Sequence, residues 1–281
     1  MKQDNIIKTS KSKNIIGVTS YGYGSEKVTY GLAPEGFTYR KLFKLPLSKI
    51  IRNNTFINNT PIIPDNSVRG IHTFNEVPIS TRNFIISFEN ELPRYLGKTK
   101  QWQFNFGCEQ LVANKCKRIL AISNIAANLA KDDFSRHGYA CINQKIDIFR
   151  GGIEFSDEPF YEKDTTPSIK ILFVGCDAVG KGILPALNAI EKCTASGINI
   201  QLTIVSRLLT INMYILKKFT STVEEVYKKI EGKKYINLIK GAPNKMVRKL
   251  MRESDLLIFP SYDESLGYVI IEAGLEGTPA I

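Results

Sequence analysis

A chain of 281 residues is long enough for two domains, each with its own core. Its hydrophobic content of 43% and charged content of 23% describe an ordinary globular composition, and no stretch approaches the ~20 apolar residues that a membrane-spanning helix needs. The net charge of +11 is divided between residues 1–166, with 23 Lys/Arg against 16 Asp/Glu, and residues 167–281, with 15 against 11. No block of like charges marks a nucleic-acid-binding tail. The balance fits a well-solvated surface or attraction to an anionic partner, such as a phosphorylated small molecule, an anionic lipid surface or nucleic acid. The N-terminal MKQDNIIKTSKSKN is polar and basic with no apolar segment behind it, so it does not read as a signal peptide, and the cytoplasm is the expected compartment. Five cysteines without a CxxC pair argue against a disulfide framework or a zinc site, and no metal site is expected.

Taken in order, Asn14–Thr19 is an apolar run leading towards Gly22 and Gly24, which suits a strand entering a loop. Residues 45–66 are rich in Pro and Asn and read as irregular connection. Ser67–His72 and Asn83–Phe88 are expected strands. Cys108, Leu111, Val112, Cys116 and Ile119 recur at helical spacing and predict a helix over 107–118. A strand over Arg118–Ile122 follows. Ser123 is placed to N-cap a helix whose inner face is Ala126, Leu129, Ala130 and Phe134. The acidic, proline-containing stretch 155–168 reads as a linker between domains at 1–154 and 169–281.

The second half alternates more cleanly. Strands are expected over Ser168–Val174, Asn199–Val205, Tyr235–Ile239 and Asp255–Phe259, with helices over 182–193, 211–231, 244–253 and 266–276 and a last strand opening at Thr278. Apolar strands separated by amphipathic helices imply a parallel sheet covered on both faces, which binds ligands at the carboxyl ends of its strands.

Two segments at those ends carry chemistry. In DLLIFPSYDESLGYVIIEAGLEGTPAI (Asp255–Ile281) a strand ends at Pro260–Ser261, a polar loop follows, and a helix opens near Leu266–Gly267. Backbone N–H groups and the helix dipole favour an anion there. Glu264 falls in the loop at the helix mouth and Glu272 inside the helix, where a carboxylate has the acceptor chemistry for a ribose diol. In ILFVGCDAVGKG (Ile171–Gly182) a strand turns at Gly175 and Lys181 opens the next helix, placing a point charge beside another helix start.

The first segment resembles the donor-site signature of the retaining family 4 glycosyltransferases, with Pro260, Ser261, Glu264, Glu272, Ala273, Gly277 and Pro279 in register. The resemblance implies that Glu264 lies beside the transferred sugar, that Glu272 binds the ribose, and that Ser265, Leu266 and Gly267 present amides to sugar and phosphate. The second segment is similar to the family's Gly-Arg…Lys-Gly element, with Gly175 and Lys181 retained and Cys176 where many members have Arg. His72, in SVRGIHTFNEVP (Ser67–Pro78), corresponds to a histidine directed at the donor sugar, and is carried over as catalytic with Glu264. In FENELPR (Phe88–Arg94), Glu89, Glu91 and Arg94 are the acceptor-contact candidates.

By this resemblance the fold is α/β of the GT-B type, two Rossmann-like domains with parallel sheets facing across a cleft. The implied reaction moves a sugar from a UDP- or GDP-type nucleotide sugar, a co-substrate rather than a cofactor, to the hydroxyl of a glycan or lipid-linked acceptor. It proceeds with retention and without a metal, and peripheral contact with an anionic membrane surface is compatible with it. The family normally continues past the point where this chain stops at Ile281, so a C-terminally truncated donor domain is expected. Two alternatives are a non-catalytic nucleotide-sugar-binding remnant and a nucleic-acid base glucosyltransferase; the lack of a basic stripe interleaved with aromatics disfavours the second.

Overall fold

The computed structural model describes residues 14–19, 28–45, 59–63, 65–94, 101–153, 167–208 and 223–281. The chain divides into two compact units, Met1–Glu154 and Phe155–Ile281. Gly22 and Gly24, residues 155–166 of the expected linker and residues 211–222 of the expected long helix lie outside the described residues.

Among the described residues of the first unit, six strands form one parallel sheet: β1 (Asn14–Val18), β2 (Phe37–Lys41), β4 (Gly70–Phe74), β6 (Phe84–Phe88), β7 (Cys116–Ala121) and β8 (Ile146–Ile148). Their order is β2-β1-β4-β6-β7-β8, while β3 (Asn59–Pro61) and β5 (Val77–Ile79) form a separate parallel pair. The central strands β4 and β6 are buried over most of their length, as an interior parallel strand must be. Helices α1 (Gln101–Val112) and α2 (Asn124–Arg136) lay Phe104, Cys108, Leu111, Ala126, Ala130 and Phe134 into the core around Ile86, Phe88 and Ile119. Ser123 caps α2 as the sequence predicts: its Oγ accepts the Ala126 N–H at 3.1 Å.

Three expectations need correction here. The helix expected over 107–118 is α1, which lies earlier, at 101–112. Cys116 instead opens β7 and pairs with Phe84, because a buried residue eight positions after Cys108 satisfies a strand as well as a helix face. Leu129 is 53% exposed and Ala127 takes its place on the inner face of α2. The strand expected from Ser67 begins only at Gly70, since the Asp65 carboxylate accepts the Ser67 N–H at 2.8 Å and holds 65–67 in a turn. The edge strand β2 was not expected at all.

The second unit is a four-stranded parallel sheet among the described residues, in order β11-β10-β9-β12. Its strands are β9 (Ile169–Val174), β10 (Ile200–Val205), β11 (Ile236–Ile239) and β12 (Leu256–Leu257), and its helices α3 (Ile183–Ala195), α4 (Val223–Ile230), α5 (Asn244–Glu253) and α6 (Tyr268–Leu275). Alternation along β9 assigns the two faces. Ile171 and Phe173 pack with Ile183, Leu187 and Val226 of α3 and α4, whereas Leu172 packs with Val247 and Met251 of α5 and Ala273 of α6. The strand expected over Asp255–Phe259 keeps only two ladder residues, because Pro260 begins the loop behind it. The expected last strand pairs beside it: Ile281 N–H donates to Leu257 O at 2.9 Å, and Leu257 N–H donates to Pro279 O at 2.8 Å. No helix among the described residues is long and apolar enough to cross a membrane.

Helix α6 ends in a hydrogen-bonded turn through Gly277 (φ 75°), with Thr278 N–H on Ala273 O at 2.8 Å and Gly277 N–H on Gly274 O at 3.1 Å. One residue before that glycine, Glu276 is only 2% exposed, and its two carboxylate oxygens accept from Arg248 Nε and Arg252 Nη1 of α5. This buried charge cluster ties α6 to α5 at their ends.

Candidate functional site

In an open parallel sheet the ligand crevice lies outside the carboxyl ends of the strands, where the strand order reverses. In the second unit that point falls between β9 and β12. Two loops meet there, 175–182 after β9 and 258–267 after β12. Gly182 is the N-cap of α3 with φ 78°, and a Cβ at this position would stand 1.9 Å from the Pro260 carbonyl oxygen. Only glycine permits both the left-handed backbone and this contact. Tyr262 N–H donates to Gly180 O at 3.2 Å, which joins the two loops through backbone, and Asp177 Oδ1 accepts the Gly180 N–H at 3.1 Å within the first. Gly267, with φ 71°, is the N-cap of α6. Neither α3 nor α6 has a capping side chain, which leaves the positive ends of two helices at one edge of the sheet without an internal acceptor of that kind.

Lys181 stands between them. Its Nζ donates to Glu264 Oε2 at 2.5 Å and to the Asp263 carbonyl at 3.3 Å, and lies 5.7 Å from the centroid of the Phe259 ring. Side-chain exposures of 27% for Lys181 and 31% for Glu264 leave the pair partly open to water. Gly175 keeps the turn below it narrow: a Cβ there would meet Lys181 Cγ at 2.9 Å. Glu272 faces the start of α5 instead, where Asn244 Nδ2 donates to its Oε1 at 3.1 Å. Ser265 and Leu266 are half-buried in the approach to Gly267. The structure therefore brings Gly175, Lys181, Glu264, Ser265, Leu266 and Gly267 to one edge, with Glu272 further along α6. Asn244 was missed by sequence reasoning; a polar side chain at a helix start directly after Pro243 was its signal.

The candidates of the first unit sit differently. His72 is 3% exposed within β4, with Nε2 2.7 Å from Ser87 Oγ, and its ring meets Tyr30 edge-on at 4.9 Å. Burial pulls its pKa down to about 4, so the ring is neutral near pH 7. Glu89 is 6% exposed, accepting from Arg94 Nη1 at 2.8 Å and Asn75 Nδ2 at 3.2 Å, while its own N–H donates to Asn75 Oδ1 at 3.1 Å. These contacts engage Glu89 and Arg94 with each other. Glu91 alone of the three lines a surface cavity of about 370 Å³, shared with Leu92, Phe104, Leu129, Asp133 and His137.

The glycine-capped edge of the second unit lies within a segment with a family match. Residues 156–281 match the family of glycosyl transferases group 1. Among solved structures, the chain is similar to an α,α-trehalose-phosphate synthase (UDP-forming) from Burkholderia vietnamiensis, with TM-score 0.58 and 8% identity over 94% of this chain and 81% of that one. It is also similar to a trehalose-6-phosphate synthase studied with bisubstrate glycomimetics, with TM-score 0.54 and 9% identity over 96% of this chain and 83% of that one. These likenesses establish the fold class: α/β with parallel sheets, of the GT-B glycosyltransferase type. The chain spans 40% of the length of the TarM structure, which it matches over 75% of its own length at 14% identity and TM-score 0.47. No curated protein matches the sequence. The two loops of the candidate site thus lie within the segment that matches the glycosyl transferases group 1 family.

Proposed function

We propose that this chain transfers a sugar from a UDP- or GDP-type nucleotide sugar to an acceptor hydroxyl, with retention of configuration and without a metal. The observation that carries the reading is the convergence of Lys181, Glu264 and two glycine-capped helix starts at the strand-order reversal of a unit whose sequence matches the glycosyl transferases group 1 family. Departure of a nucleoside diphosphate develops negative charge on its phosphates. Preorganised donors aimed at that charge lower the barrier, because they need no reorientation during the reaction. Lys181 supplies one, and the helix starts supply backbone dipoles. On binding, the Lys181 ammonium exchanges Glu264 and the Asp263 carbonyl for phosphate oxygens. That exchange releases the Glu264 carboxylate towards the transferred sugar, and Glu272 accepts from the ribose.

In this reading the charge that develops on the phosphates is met by the Lys181 ammonium and the backbone N–H groups of the helix starts, so the reaction needs no metal. The acceptor of the proposal is a glycan or a lipid-linked molecule, and the net charge of +11 spread through both halves is compatible with meeting it at an anionic membrane surface.

A panel of UDP, GDP, ADP and their sugars tests the reading by thermal shift and by release of nucleotide from the sugar donor. A ligand at a hundred times its Kd stabilises the folded chain by about 2.7 kcal/mol. No shift with any nucleotide overturns the proposal, and a shift without hydrolysis or transfer makes the chain a non-catalytic binder. Activity should survive EDTA, and the anomeric configuration of the product, read by NMR, decides retention.

A further inference from the structure

Beside this site, at the carboxyl end of β10, lies a cation that the sequence motifs do not include. β10 is the neighbour of β9, and the chain leaving it is fixed by Ser206, 1% exposed, whose Oγ accepts the Leu208 N–H at 2.9 Å and donates to the Cys176 carbonyl at 3.4 Å. Leu208 is 5% exposed and takes a left-handed backbone (φ 51°), a conformation that branched L-residues avoid. The turn buries Leu208 and leaves Arg207 exposed on the rim. Its stem runs along bare backbone: a Cβ on Gly241 would lie 3.4 Å from both Cγ and Nε of Arg207. Unlike Lys181, Arg207 has no hydrogen bond or ion pair among the described residues. The neighbouring cation, Lys240, leans instead over the Tyr227 ring at 5.5 Å.

Charge shows why this matters. In the two loops that meet at the site, Asp177, Asp263 and Glu264 outnumber Lys181, and Cys176 adds no charge. A nucleoside diphosphate brought to such an edge meets more negative than positive charge unless another cation turns towards it. We infer that Arg207, held between the Cys176 turn and Gly241, is a second cationic contact for the phosphates of the nucleotide. A guanidinium suits the task because its fork of donors matches phosphate oxygens in pairs. The inference rests on the nucleotide-sugar reading of this edge.

Titration calorimetry of the full chain with UDP, GDP and ADP, each beside its nucleoside, tests it. Arg207→Ala should weaken the diphosphate that binds the unmodified chain by roughly tenfold to a hundredfold and leave the nucleoside nearly unchanged. Cys176→Arg added to Arg207→Ala should recover much of the loss, since it returns a cation to the adjoining turn. Unchanged diphosphate affinity in Arg207→Ala, or equal losses for diphosphate and nucleoside, overturns the inference. Lys181→Ala separates the two levels. If it weakens diphosphate binding and Arg207→Ala does not, only Arg207 is misassigned. If no diphosphate binds the unmodified chain, the donor reading fails and the inference falls with it.

Discussion

Both units build a parallel sheet and bury a carboxylate against arginine, Glu89 with Arg94 in the first and Glu276 with Arg248 and Arg252 in the second. They treat the carboxyl edge of the sheet differently. In the first unit, α2 begins under its own Ser123 hydroxyl, so the acceptor for its free amides is built in, and the nearby polar groups His72 and Glu89 are turned inward and paired. In the second unit, α3 and α6 begin at left-handed glycines with no capping side chain, and the charged pair Lys181–Glu264 faces water. The first edge is closed by a side chain of the protein itself, and the second lacks such a cap at either helix; under the proposed function the nucleotide completes it.

The contrast can be broken at its supports. Glu276→Ala leaves two arginines of α5 facing a buried void, and removal of one partner from a buried ion pair costs about 3–5 kcal/mol. Chemical denaturation should show the second unit unfolding first, and a loss under 1 kcal/mol would mean the cluster is solvated. Gly182→Ala combines strain with a backbone clash and should cost about 3 kcal/mol or more. Gly138→Ala in the first unit, also at positive φ (81°) but with nothing within 4 Å of the added Cβ, should cost only about 1 kcal/mol. Equal losses would show that the Pro260 contact is not rigid.

His72 sharpens the inward-turned half of the comparison. Its ring is neutral in the folded chain down to about pH 4, whereas in the unfolded chain it takes up a proton near pH 6.5. Its contribution is complete above pH 6.5 and is lost as pH falls towards 4, in total about 3 kcal/mol. His72→Gln should flatten the stability profile between those limits, and an unaltered profile would place the ring in water. At the open edge, Lys181→Ala should lose ~1.5–3 kcal/mol of diphosphate affinity and much less of nucleoside affinity. Glu272→Ala should weaken both ligands while leaving the melt intact, because its proposed partner is the ribose.

Much of the second unit was legible because its strands are continuous apolar runs and its turns carry glycines. The helix bounds 244–253 coincide with α5, and Gly182 and Gly267 lie where the pattern changes from strand to helix. The first unit was harder to read. Cys116 fits two periods, β2 is an edge strand of mixed polarity, and Leu129 is apolar yet exposed. Proximity in sequence also could not show that Glu276, a residue of the last helix turn, is buried under arginines 24 and 28 positions earlier. Nor could it show that Arg207 rests on Gly241, since that juxtaposition comes from neighbouring strands rather than from spacing.

One small device in the first unit has a use at the bench. Lys145 donates from Nζ to the carbonyls of Leu111, Val112 and Ala113 at 2.7, 2.8 and 2.9 Å, so all three ammonium hydrogens are spent at the end of α1. An amine held in this way must give up three acceptors before it can lose a proton and attack an acylating reagent. Under brief labelling with an N-hydroxysuccinimide ester, Lys145 should lag well behind the exposed Lys117, and catch up once the chain is denatured. Read by mass spectrometry, the lag becomes a site-resolved clock for the integrity of the α1–β7 turn.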